Sequence, residues 1–414
     1  MASDCKNFNL IRREIINYLR EAKVIIFSHK VDIFIFPFVI PFVFLLRVLS
    51  PVIKVKLGYF RNQDRFGHFV QDTSYEVCRN KLDKRTKYIY WIDKNVANKE
   101  WLLVVKKYIT INNFIRPIEK MNRLIPFGGS SSIRPLIDEN HLSRDVNGLI
   151  SSNQPLFKFG KKEEKIVADF FENEDANCEK FVCLMVRDSL YLTGFMGHTD
   201  EEIKYHSYRD SEINTYKVAV NYLISLGYTV VRMGAHQKTP MDIVDSNFID
   251  YAFSDQRNDK LDVLLPYYSK FCIGAASGID ALSLAYSKPS LYINAMPLFH
   301  INSERNLLWN PKNLFWKESG MQLTLSETLE HQYMDSDKYK EAGVIIKDLN
   351  EEEILDAVKE FIYFKVENNR YSLSDDKKQK IFWNLMLNSP FNDFYVYINP
   401  KCRISKGWID RIIN

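Results

Sequence analysis

Three arginines in the second half of the chain lie at the ends of predicted β-strands or in the loop between a predicted strand and the next helix. Arg187 ends FVCLMVRD, Arg209 lies in KYHSYRDSEINTY, and Arg232 ends YTVVRMG. The carboxyl ends of parallel strands lie along one edge of a sheet, where ligands bind. A guanidinium group matches phosphate or carboxylate with two parallel hydrogen bonds. The pattern therefore predicts an anion site at this edge, and the alternative is ordinary surface pairing of Arg187 with Asp188 and of Arg209 with Asp210.

Several polar residues next to these arginines belong to the same candidate site. His206, Ser207 and Tyr208 directly precede Arg209, and Gly234 lies two residues after Arg232. We take His206 and Arg209 as candidate catalytic groups. We take the remaining residues of the site as candidate ligand-binding groups, namely Arg187, Asp188, Ser207, Tyr208, Arg232 and Gly234.

A turn of small residues follows another predicted strand, in FCIGAASGIDALSLAYS. Gly274 and Gly278 allow close approach of the backbone to a ligand, and the helix that begins here points free N–H groups at it, which suits phosphate. Ser277 can donate a hydrogen bond, and Asp280 can reach a ribose hydroxyl. The alternative is an ordinary strand-to-helix turn with an aspartate in the first helical turn.

The first half of the chain offers a histidine after its first predicted strand, in RFGHF. His68 lies near the start of a predicted helix, and Asp72 follows at i+4 on the same face. A histidine held by a carboxylate can act as a general base. His68 and Asp72 are therefore candidate catalytic residues, and the alternative is a polar helix face.

Strands and helices alternate along both halves, which predicts an α/β fold with parallel sheets. The first half covers residues 54–160, the second half covers residues 161–370, and residues 371–414 form a charged helix and a tail. Strands are predicted over 55–60, 87–93, 181–188, 228–234, 270–278, 288–294 and 344–348. Helices are predicted over 99–108, 161–173 and 211–227, and a further helix follows the cap Asn350. Residues 128–155 are predicted to form loops or a linker.

Residues 1–53 are expected to associate with a membrane. Residues 8–23 carry apolar positions at helical spacing, and Val31–Ile53 contains 14 consecutive uncharged residues, which is short of the roughly 20 that a spanning helix needs. Pro37 and Pro41 favour a kinked or shallow element. The pattern is not that of a signal peptide. We interpret the segment as a hairpin or interfacial anchor, and the alternatives are a buried helix with a strand, or a transmembrane span.

Composition excludes several classes of protein. Of the 414 residues, 46% are hydrophobic and 26% are charged, as in a folded globular chain, and the net charge of +4 is too small for a dedicated nucleic-acid binder. Six cysteines without C-x-x-C spacing indicate a reducing compartment, and the histidines form no zinc-ligand pattern. The D-x-D triplet at Asp335–Asp337 is predicted to cap a helix and not to hold a metal.

Basic residues are concentrated in residues 99–134, which contain seven basic and two acidic residues. Such an excess attracts anionic lipid by about 1 kcal/mol for each charge near the surface. The alternative is a solvated lysine-rich helix. If the first interpretation holds, this region supports the membrane contact expected of residues 1–53.

The ordered motifs resemble those of a family of bacterial proteins assigned as glycosyltransferases of surface polysaccharides. The motifs are RD-x-x-Y (Arg187, Asp188, Tyr191), HSYRD followed by Tyr216, YTVVRMG, IGAASG and KPSLYIN, preceded by RFGHF. The family usually has asparagine where this chain has Asp210. The resemblance implies a GT-B architecture, in which two Rossmann-like domains enclose a cleft, the second domain binds the nucleotide and the first binds the acceptor.

From the motifs and the resemblance we expect transfer of a sugar from a nucleotide donor to a lipid-linked or polysaccharide acceptor, at the cytoplasmic face of the bacterial inner membrane. The nucleotide-sugar is substrate, and neither a metal nor another cofactor is expected. Arg187, Arg209 and Arg232 would steady the phosphates, and His68 would accept the proton of the acceptor hydroxyl if the enzyme inverts configuration. The alternatives are a non-catalytic polysaccharide-assembly factor and a nucleotide-sugar epimerase.

Overall fold

A computed structural model describes residues 30–125, 132–133, 145, 147–153, 155–188, 190, 207–235, 237–301, 306–390 and 397–413. The candidate catalytic residue His206 lies outside the described residues, as do Tyr191 of the RD-x-x-Y motif and the predicted helix over residues 8–23. Two parallel sheets organise the described part, and we call the parts of the chain built on them the first and the second lobe.

The first lobe contains a four-stranded sheet within the described residues, in the order β3-β2-β1-β4, with every pair parallel. Its strands are β1 (Val55–Tyr59), β2 (Lys87–Trp91), β3 (Thr110–Ile111) and β4 (Ser132–Ile133). Its helices are α1 (Lys30–Leu49), α2 (Phe66–Leu82), α3 (Lys99–Val105), α4 (Arg116–Leu124) and α5 (Leu149–Ser152). The alternation predicted from the sequence for β1, β2 and α3 is confirmed.

The second lobe contains a seven-stranded sheet within the described residues, in the order β13-β10-β9-β8-β5-β6-β7, again with every pair parallel. Its strands are β5 (Phe181–Leu184), β6 (Thr229–Arg232), β7 (Phe248–Ile249), β8 (Cys272–Gly274), β9 (Ser290–Ile293), β10 (Leu307–Asn310) and β13 (Arg403–Ile404). Helices α6 (Lys161–Asn173), α7 (Lys217–Ser225), α8 (Asp259–Tyr268) and α9 (Ala281–Ala285) connect them. The central strands are buried throughout, which is why they appear in the sequence as unbroken apolar runs.

The remaining elements differ in part from the sequence-based expectation. Strand β11 (Asn313–Trp316) pairs antiparallel with β12 (Val344–Lys347), so the strand predicted over 344–348 forms a separate ribbon and does not extend the main sheet. The expected tail supplies β13 at the sheet edge. The other helices are α10 (Leu325–Glu330), α11 (Ser336–Glu341), α12 (Glu351–Phe361), α13 (Leu373–Leu387) and α14 (Lys406–Ile412).

Two helix caps predicted from the sequence are confirmed. The side chain of Asp335 accepts a hydrogen bond from the backbone N–H of Asp337 at the start of α11, so the D-x-D triplet is a cap. Asn350 forms a capping box with Glu353 at the start of α12.

Each sheet changes direction at one point in its strand order, and these points position the candidate site. In the second lobe the chain runs from β5 to β6 and β7 on one side and then returns to β8 on the other side of β5. In the first lobe it runs from β1 to β2 and β3 and then returns to β4 beside β1. In open α/β sheets ligands bind at such switch points, outside the carboxyl ends of the strands. The loops after β1, β5 and β8 are therefore the place for a ligand.

The two lobes pack directly against each other. Helix α2 of the first lobe contacts α9 of the second, and residues of α8 and α9 share one hydrophobic core with the first sheet. Asn98 Nδ2 donates to the carbonyl of Asp259 at 2.9 Å. A Cβ atom added to Gly67 would lie 2.7 Å from the Cα of Gly278, so two glycines allow the backbones of the two lobes to approach closely here. The loops after β1 and β8 meet at this contact.

Helix α1 packs one side against α4. Phe36, Val39 and Val43 are buried in this contact, whereas the opposite side of the helix is exposed. The expected hairpin is instead one continuous helix that includes Pro37 and Pro41. Among the helices in the described part of the chain, none has the length and apolar character to cross a bilayer.

The N-terminal end of α1 is held by a buried ion-pair cluster, which gives a stability prediction. Asp32 accepts from Arg116 Nη2 at 2.9 Å and lies 3.0 Å from Lys120 Nζ, and both Asp32 and Lys120 have almost fully buried side chains. Burial acts to raise the pKa of Asp32, but hydrogen bonds from Arg116 and Lys120 outweigh it and lower the pKa. We expect Asp32→Asn to lower the free energy of unfolding by about 3 kcal/mol, because it removes the negative charge that pairs with the buried ammonium group of Lys120.

The measurement is urea unfolding of the two proteins at several pH values. Because the pKa of Asp32 is lowered in the folded state, its contribution is complete above the unfolded pKa near 4 and disappears as the pH falls through the folded pKa. Asp337→Asn breaks an ion pair in which both side chains are exposed, so it serves as the control and should change stability by less than about 0.5 kcal/mol. Equal effects of the two substitutions would contradict the prediction.

Candidate functional site

The candidate site lies at the carboxyl ends of β5 and β8, where the second sheet changes direction. Residues 185–188 follow β5, residues 275–278 follow β8, and a 3₁₀ turn over Ser207–Arg209 lies beside them. Ala276 has a positive φ of 55°, which turns the loop sharply at this point. Three irregular segments therefore meet where the fold favours a ligand.

Arg209 lies at the centre of this arrangement. Its Nη2 atom donates to the carbonyl of Ala276 at 2.5 Å, while its Nε atom is buried and has no hydrogen-bond acceptor in the described part of the chain. Arg209 forms no ion pair with any described carboxylate. Burial and the neighbouring charge of Arg187 lower the pKa of Arg209 to about 10, so the guanidinium stays charged at neutral pH. A half-buried cation with unused donor capacity is suited to bind an anion.

The loop after β8 is held together by its own aspartate. The carboxylate of Asp280 accepts from the backbone N–H of Ser277 at 2.5 Å and from the Ser277 hydroxyl at 2.9 Å. A Cβ atom on Gly274 would lie 2.0 Å from Oδ1 of Asp280, so the carboxylate packs on the glycine. Asp280 is only 1% exposed. We predicted that it could contact a ribose hydroxyl, but its position assigns it to shaping the loop, with Ser277 and Gly278 at the loop surface.

His68 approaches this loop from the first lobe. It is the third residue of α2, directly after Gly67, whose Cα packs on Gly278. Burial, together with the charges of Arg65 and Arg209, lowers the pKa of His68 to about 4, and Asp64 acts in the opposite direction. The imidazole is therefore neutral at pH 7 and able to accept a proton. Asp72 follows one turn later on α2 and is 2% exposed.

The titration of His68 provides a direct test of this juxtaposition. We expect the imidazole to titrate near pH 4 by NMR and to shift upward in Arg209→Gln, because that substitution removes one of the charges that lower its pKa. Loss of the resonance in His68→Asn assigns it. An unchanged titration in Arg209→Gln would show that the two residues are too far apart to interact.

Arg187 lies in an ion-pair network and not at the centre of the site. Its Nε atom lies 3.2 Å from Oδ1 of Asp210, so Arg187 forms an ion pair, but with Asp210 and not with the adjacent Asp188 that surface pairing would give. Burial raises the pKa of Asp210. Lys312 donates to the carbonyl of Asp210 and forms a 2.7 Å ion pair with Asp348. The network fixes the backbone that carries Arg209.

A pocket of about 230 Å³ opens beside this network at the ends of β5 and β6. Its polar lining residues are Asp188, Asp210, Ser211, Glu212, Gln237, Lys238 and Thr239. Asp188 is used within the loop structure, because it accepts hydrogen bonds from the backbone N–H groups of Leu190 and Lys238. Asp210, Ser211 and Glu212 of the lining directly follow Arg209 in the chain, which places the pocket next to the Arg209 turn.

Arg232 does not reach the site. It is 1% exposed, its Nη1 atom donates to Asp250 at 3.0 Å and to the Thr239 carbonyl, and its Nη2 atom donates to Gln237. These contacts stabilise the loop after β6, and Gly234 belongs to the same loop with a φ of 151°. The expectation that three arginines converge on one ligand is therefore wrong for Arg232, because its side chain turns into the protein interior.

Ser207 and Tyr208 connect the Arg209 turn to α11. The hydroxyl groups of Ser207 and Ser336 lie 3.0 Å apart, and the backbone N–H of Tyr208 donates to the Ser336 hydroxyl. The Tyr208 ring is buried in a core with Tyr339 and Val344. Both residues therefore position Arg209, and the Tyr208 ring is not available to a ligand.

The structure thus brings together Arg209, Ser277, Gly278 and His68, while Arg187 and Asp280 support them. Sequence reasoning missed Lys312, since it precedes a short strand far along the chain and carries no motif. It also missed the contact made by Gly67, which appeared only as a residue near a helix start. Within the described residues, no group of three or more histidine, cysteine or acidic side chains is arranged to hold a metal ion.

Comparison with known proteins gives structural neighbours only. No protein-family model matches the chain, and no curated protein matches it. The fold is similar to that of a glycosyl transferase family 9 protein from Veillonella parvula, with a TM-score of 0.45 and 11% identity over 75% of this chain and 97% of that one. It is also similar to the iron-containing dodecameric glycosyltransferase TibC from enterotoxigenic E. coli, with a TM-score of 0.34 and 15% identity over 59% of each chain. A structure of TibC described as a heptosyltransferase in complex with ADP-D-beta-D-heptose matches with a TM-score of 0.30 and 15% identity over 58% of each chain. The structural neighbours are thus glycosyltransferases.

Proposed function

We propose that this protein is a GT-B-type glycosyltransferase that moves a sugar from a nucleotide-sugar donor to a lipid-linked or polysaccharide acceptor. The observation that carries the proposal is Arg209. Its guanidinium is half-buried at the switch point of the second sheet, forms no ion pair with a described carboxylate, and leaves its buried Nε atom without an acceptor in the described part of the chain. A donor diphosphate supplies the missing anion.

The chemistry follows from the placement of the charged groups. The bond between the anomeric carbon and the leaving phosphate oxygen breaks, and Arg209 stabilises the negative charge that develops on the diphosphate. Ser277 and Gly278, which lie at the surface of the loop after β8, bind the donor beside Arg209. The oxygen of the acceptor hydroxyl forms the new bond to the anomeric carbon, and His68 accepts its proton if configuration is inverted.

Binding of the donor also changes the pKa of the proposed base, His68. The charge of Arg209 contributes to the low pKa of His68 in the free protein. A bound diphosphate offsets that charge, so the pKa of His68 rises toward the range in which an imidazole is an effective base. The proposal therefore couples donor binding to activation of the acceptor without requiring a metal ion.

We place the reaction in bacterial surface glycan synthesis, at the cytoplasmic face of the inner membrane. The sequence resemblance supports the pathway, and the exposed apolar side of α1 supports the membrane location. Residues 54–160 form the acceptor domain and residues 161–370 form the donor domain in this proposal. The nucleotide-sugar is a substrate, and no resident cofactor is proposed.

The test is thermal unfolding of the purified full chain with ADP, UDP, GDP, CDP and dTDP, followed by assay of donor hydrolysis with the nucleotide-sugars of any nucleotide that stabilises it. A ligand that binds only the native state raises the melting temperature. We expect at least one nucleotide to do so and its sugar ester to be hydrolysed slowly. No stabilisation by any nucleotide would overturn the proposal. Stabilisation without turnover would favour an assembly factor, and an isomerised sugar formed without acceptor would favour an epimerase.

A further inference from the structure

One side of α1 and the turn after it carries a continuous set of exposed apolar side chains. Eight of them are more than half exposed, and we call them the apolar ridge: Phe34, Phe38, Phe42, Phe44, Leu45, Val48, Val52 and Ile53. The four phenylalanines alone leave on the order of 500 Å² exposed, at about 200 Å² for each full side chain. That area is comparable to the largest apolar patch on a typical soluble monomer, and such patches are often interaction sites.

The opposite side of α1 is fixed to the first lobe at both ends. Asp32 is paired with Arg116 and Lys120 of α4. Near the other end, Arg47 Nε donates to the Asn122 side chain at 2.9 Å, and Nη2 donates to the carbonyls of Asn122 and Ile125. The charged residues that flank the uncharged run thus point inward, and the helix cannot rotate to hide the ridge.

We infer that α1 lies flat in the interface of a lipid bilayer, with the apolar ridge inserted among the headgroups and the first acyl carbons. A flat orientation follows because α4 covers the inner side of the helix, so α1 cannot enter the bilayer end-on without separating from it. An amphipathic helix with an apolar face and a polar, protein-bound face is the element that binds in this way.

The composition of the apolar ridge favours lipid over a protein partner. Protein interfaces carry about one hydrogen bond for every 100–200 Å². Residues 33–46 contain no charged or hydrogen-bonding side chain, so a partner protein would find no polar group there. Directly after the ridge, the exposed Lys54 can extend its ammonium group to the headgroups. Residues 8–23 precede α1 and carry apolar residues at helical spacing.

Binding is expected to depend mainly on apolar burial and little on lipid charge. The basic excess over residues 99–134 suggested attraction to anionic lipid. Asp32 pairs with both Arg116 and Lys120, and Arg123 forms a 2.6 Å ion pair with Glu119, so three of the seven basic residues of this region are engaged within the protein. Charges that are paired within the protein do not attract anionic lipid, and salt has little effect on apolar contacts.

The experiment is flotation of the full-length protein with vesicles of phosphatidylcholine alone and of phosphatidylcholine mixed with phosphatidylglycerol, at low and high salt. We expect the protein to float with both kinds of vesicle, with less than a tenfold loss at high salt. The double substitution Phe38→Glu and Phe42→Glu should reduce binding by at least tenfold while the melting temperature stays within a few degrees, because both side chains are exposed. Leu373→Glu changes an apolar residue that is 90% exposed in the second lobe and serves as the matched control.

Several results would overturn the inference. The protein could fail to float, or float only with anionic vesicles and release in salt. A dimer in solution that the double substitution dissociates would show that a second copy covers the apolar ridge. Increased flotation of Ile15→Glu would show that residues 8–23 cover it. The inference rests on the proposed function only for the location of the acceptor, and stabilisation by nucleotide without vesicles tests that function separately.

Discussion

Replacing Arg209 with glutamine is expected to abolish the stabilisation of this protein by its nucleotide ligand. Arg209 is the half-buried cation at the switch point that has no described carboxylate partner, so a diphosphate would take up its unused donors. Each hydrogen bond to a charged group contributes about 1.5–3 kcal/mol, and the loss of two such bonds weakens affinity by about 100-fold or more. The measurement is the dissociation constant of the nucleoside diphosphate by calorimetry, together with donor turnover.

Two matched arginine substitutions separate binding from folding. Arg232→Gln removes a guanidinium that is 1% exposed and bonded to Asp250, Gln237 and the Thr239 carbonyl. It should lower the melting temperature but change the affinity of the folded protein by less than about threefold, a difference below 1 kcal/mol. Arg187→Gln disturbs the support of Arg209 through Asp210 and should have an intermediate effect on affinity. An affinity that falls in Arg232→Gln and persists in Arg209→Gln would contradict the assignment.

The elements of the fold were predictable where burial leaves a direct signature in the sequence. FVCLMVRD, YTVVRMG and KPSLYIN are apolar because β5, β6 and β9 lie within a sheet covered on both faces. Their carboxyl ends then defined the edge at which to look for a site. This reasoning pointed to Arg209 and the loop over residues 275–278, because strands and the turns that follow them can be recognised from short stretches of sequence.

The roles of individual side chains at that edge were not predictable in the same way. Arg187, Arg209 and Arg232 were all predicted at the same sheet edge, yet Arg232 donates to Gln237 and the Thr239 carbonyl, and Arg187 pairs with Asp210. Whether an arginine at a strand end faces a ligand depends on the conformation of the next loop, which a strand pattern does not encode. Similarly, Asp280 was expected to face a ribose, but it folds back on Gly274.

Contacts between distant parts of the chain were also beyond sequence reasoning. Residues 403–404 join the main sheet as an edge strand beside β10. Two residues are too few to show the hydrophobic alternation by which a strand is recognised in a sequence. The pairing of β11 with β12 depends on where the intervening helices return the chain. The approach of Gly67 to Gly278 is the most consequential of these contacts, because it positions His68 relative to Arg209 and a lone glycine gives no signal of a partner.

That approach gives the second large prediction, for Gly67→Ala. A Cβ atom at residue 67 would lie 2.7 Å from the Cα and 3.0 Å from the carbonyl oxygen of Gly278, so backbone must move in one lobe or the other. Alanine is better than glycine in a helix by about 1 kcal/mol, so without this contact the substitution would stabilise α2. With it, we expect a loss of about 1–3 kcal/mol, as for overpacked cores. Because a displacement of about 1 Å at reacting groups can cost about 100-fold in rate, donor turnover should fall by a similar factor.

A graded series of glycine substitutions makes the prediction specific to the contact between the lobes. In Gly278→Ala the new methyl group would lie 3.2 Å from the Gly67 nitrogen, which a shift of a few tenths of an ångström relieves, so its effect should be intermediate. In Gly407→Ala, within α14, the nearest atom to the new methyl group is Oγ of the N-cap residue Ser405 at 4.0 Å, so stability should be unchanged or slightly higher. Calorimetric melting and donor hydrolysis of the three variants should therefore rank Gly67→Ala, Gly278→Ala and Gly407→Ala in order of decreasing damage. If Gly67→Ala matches Gly407→Ala in both measurements, the two lobes do not meet at these glycines in solution, and His68 loses its proposed place beside the donor.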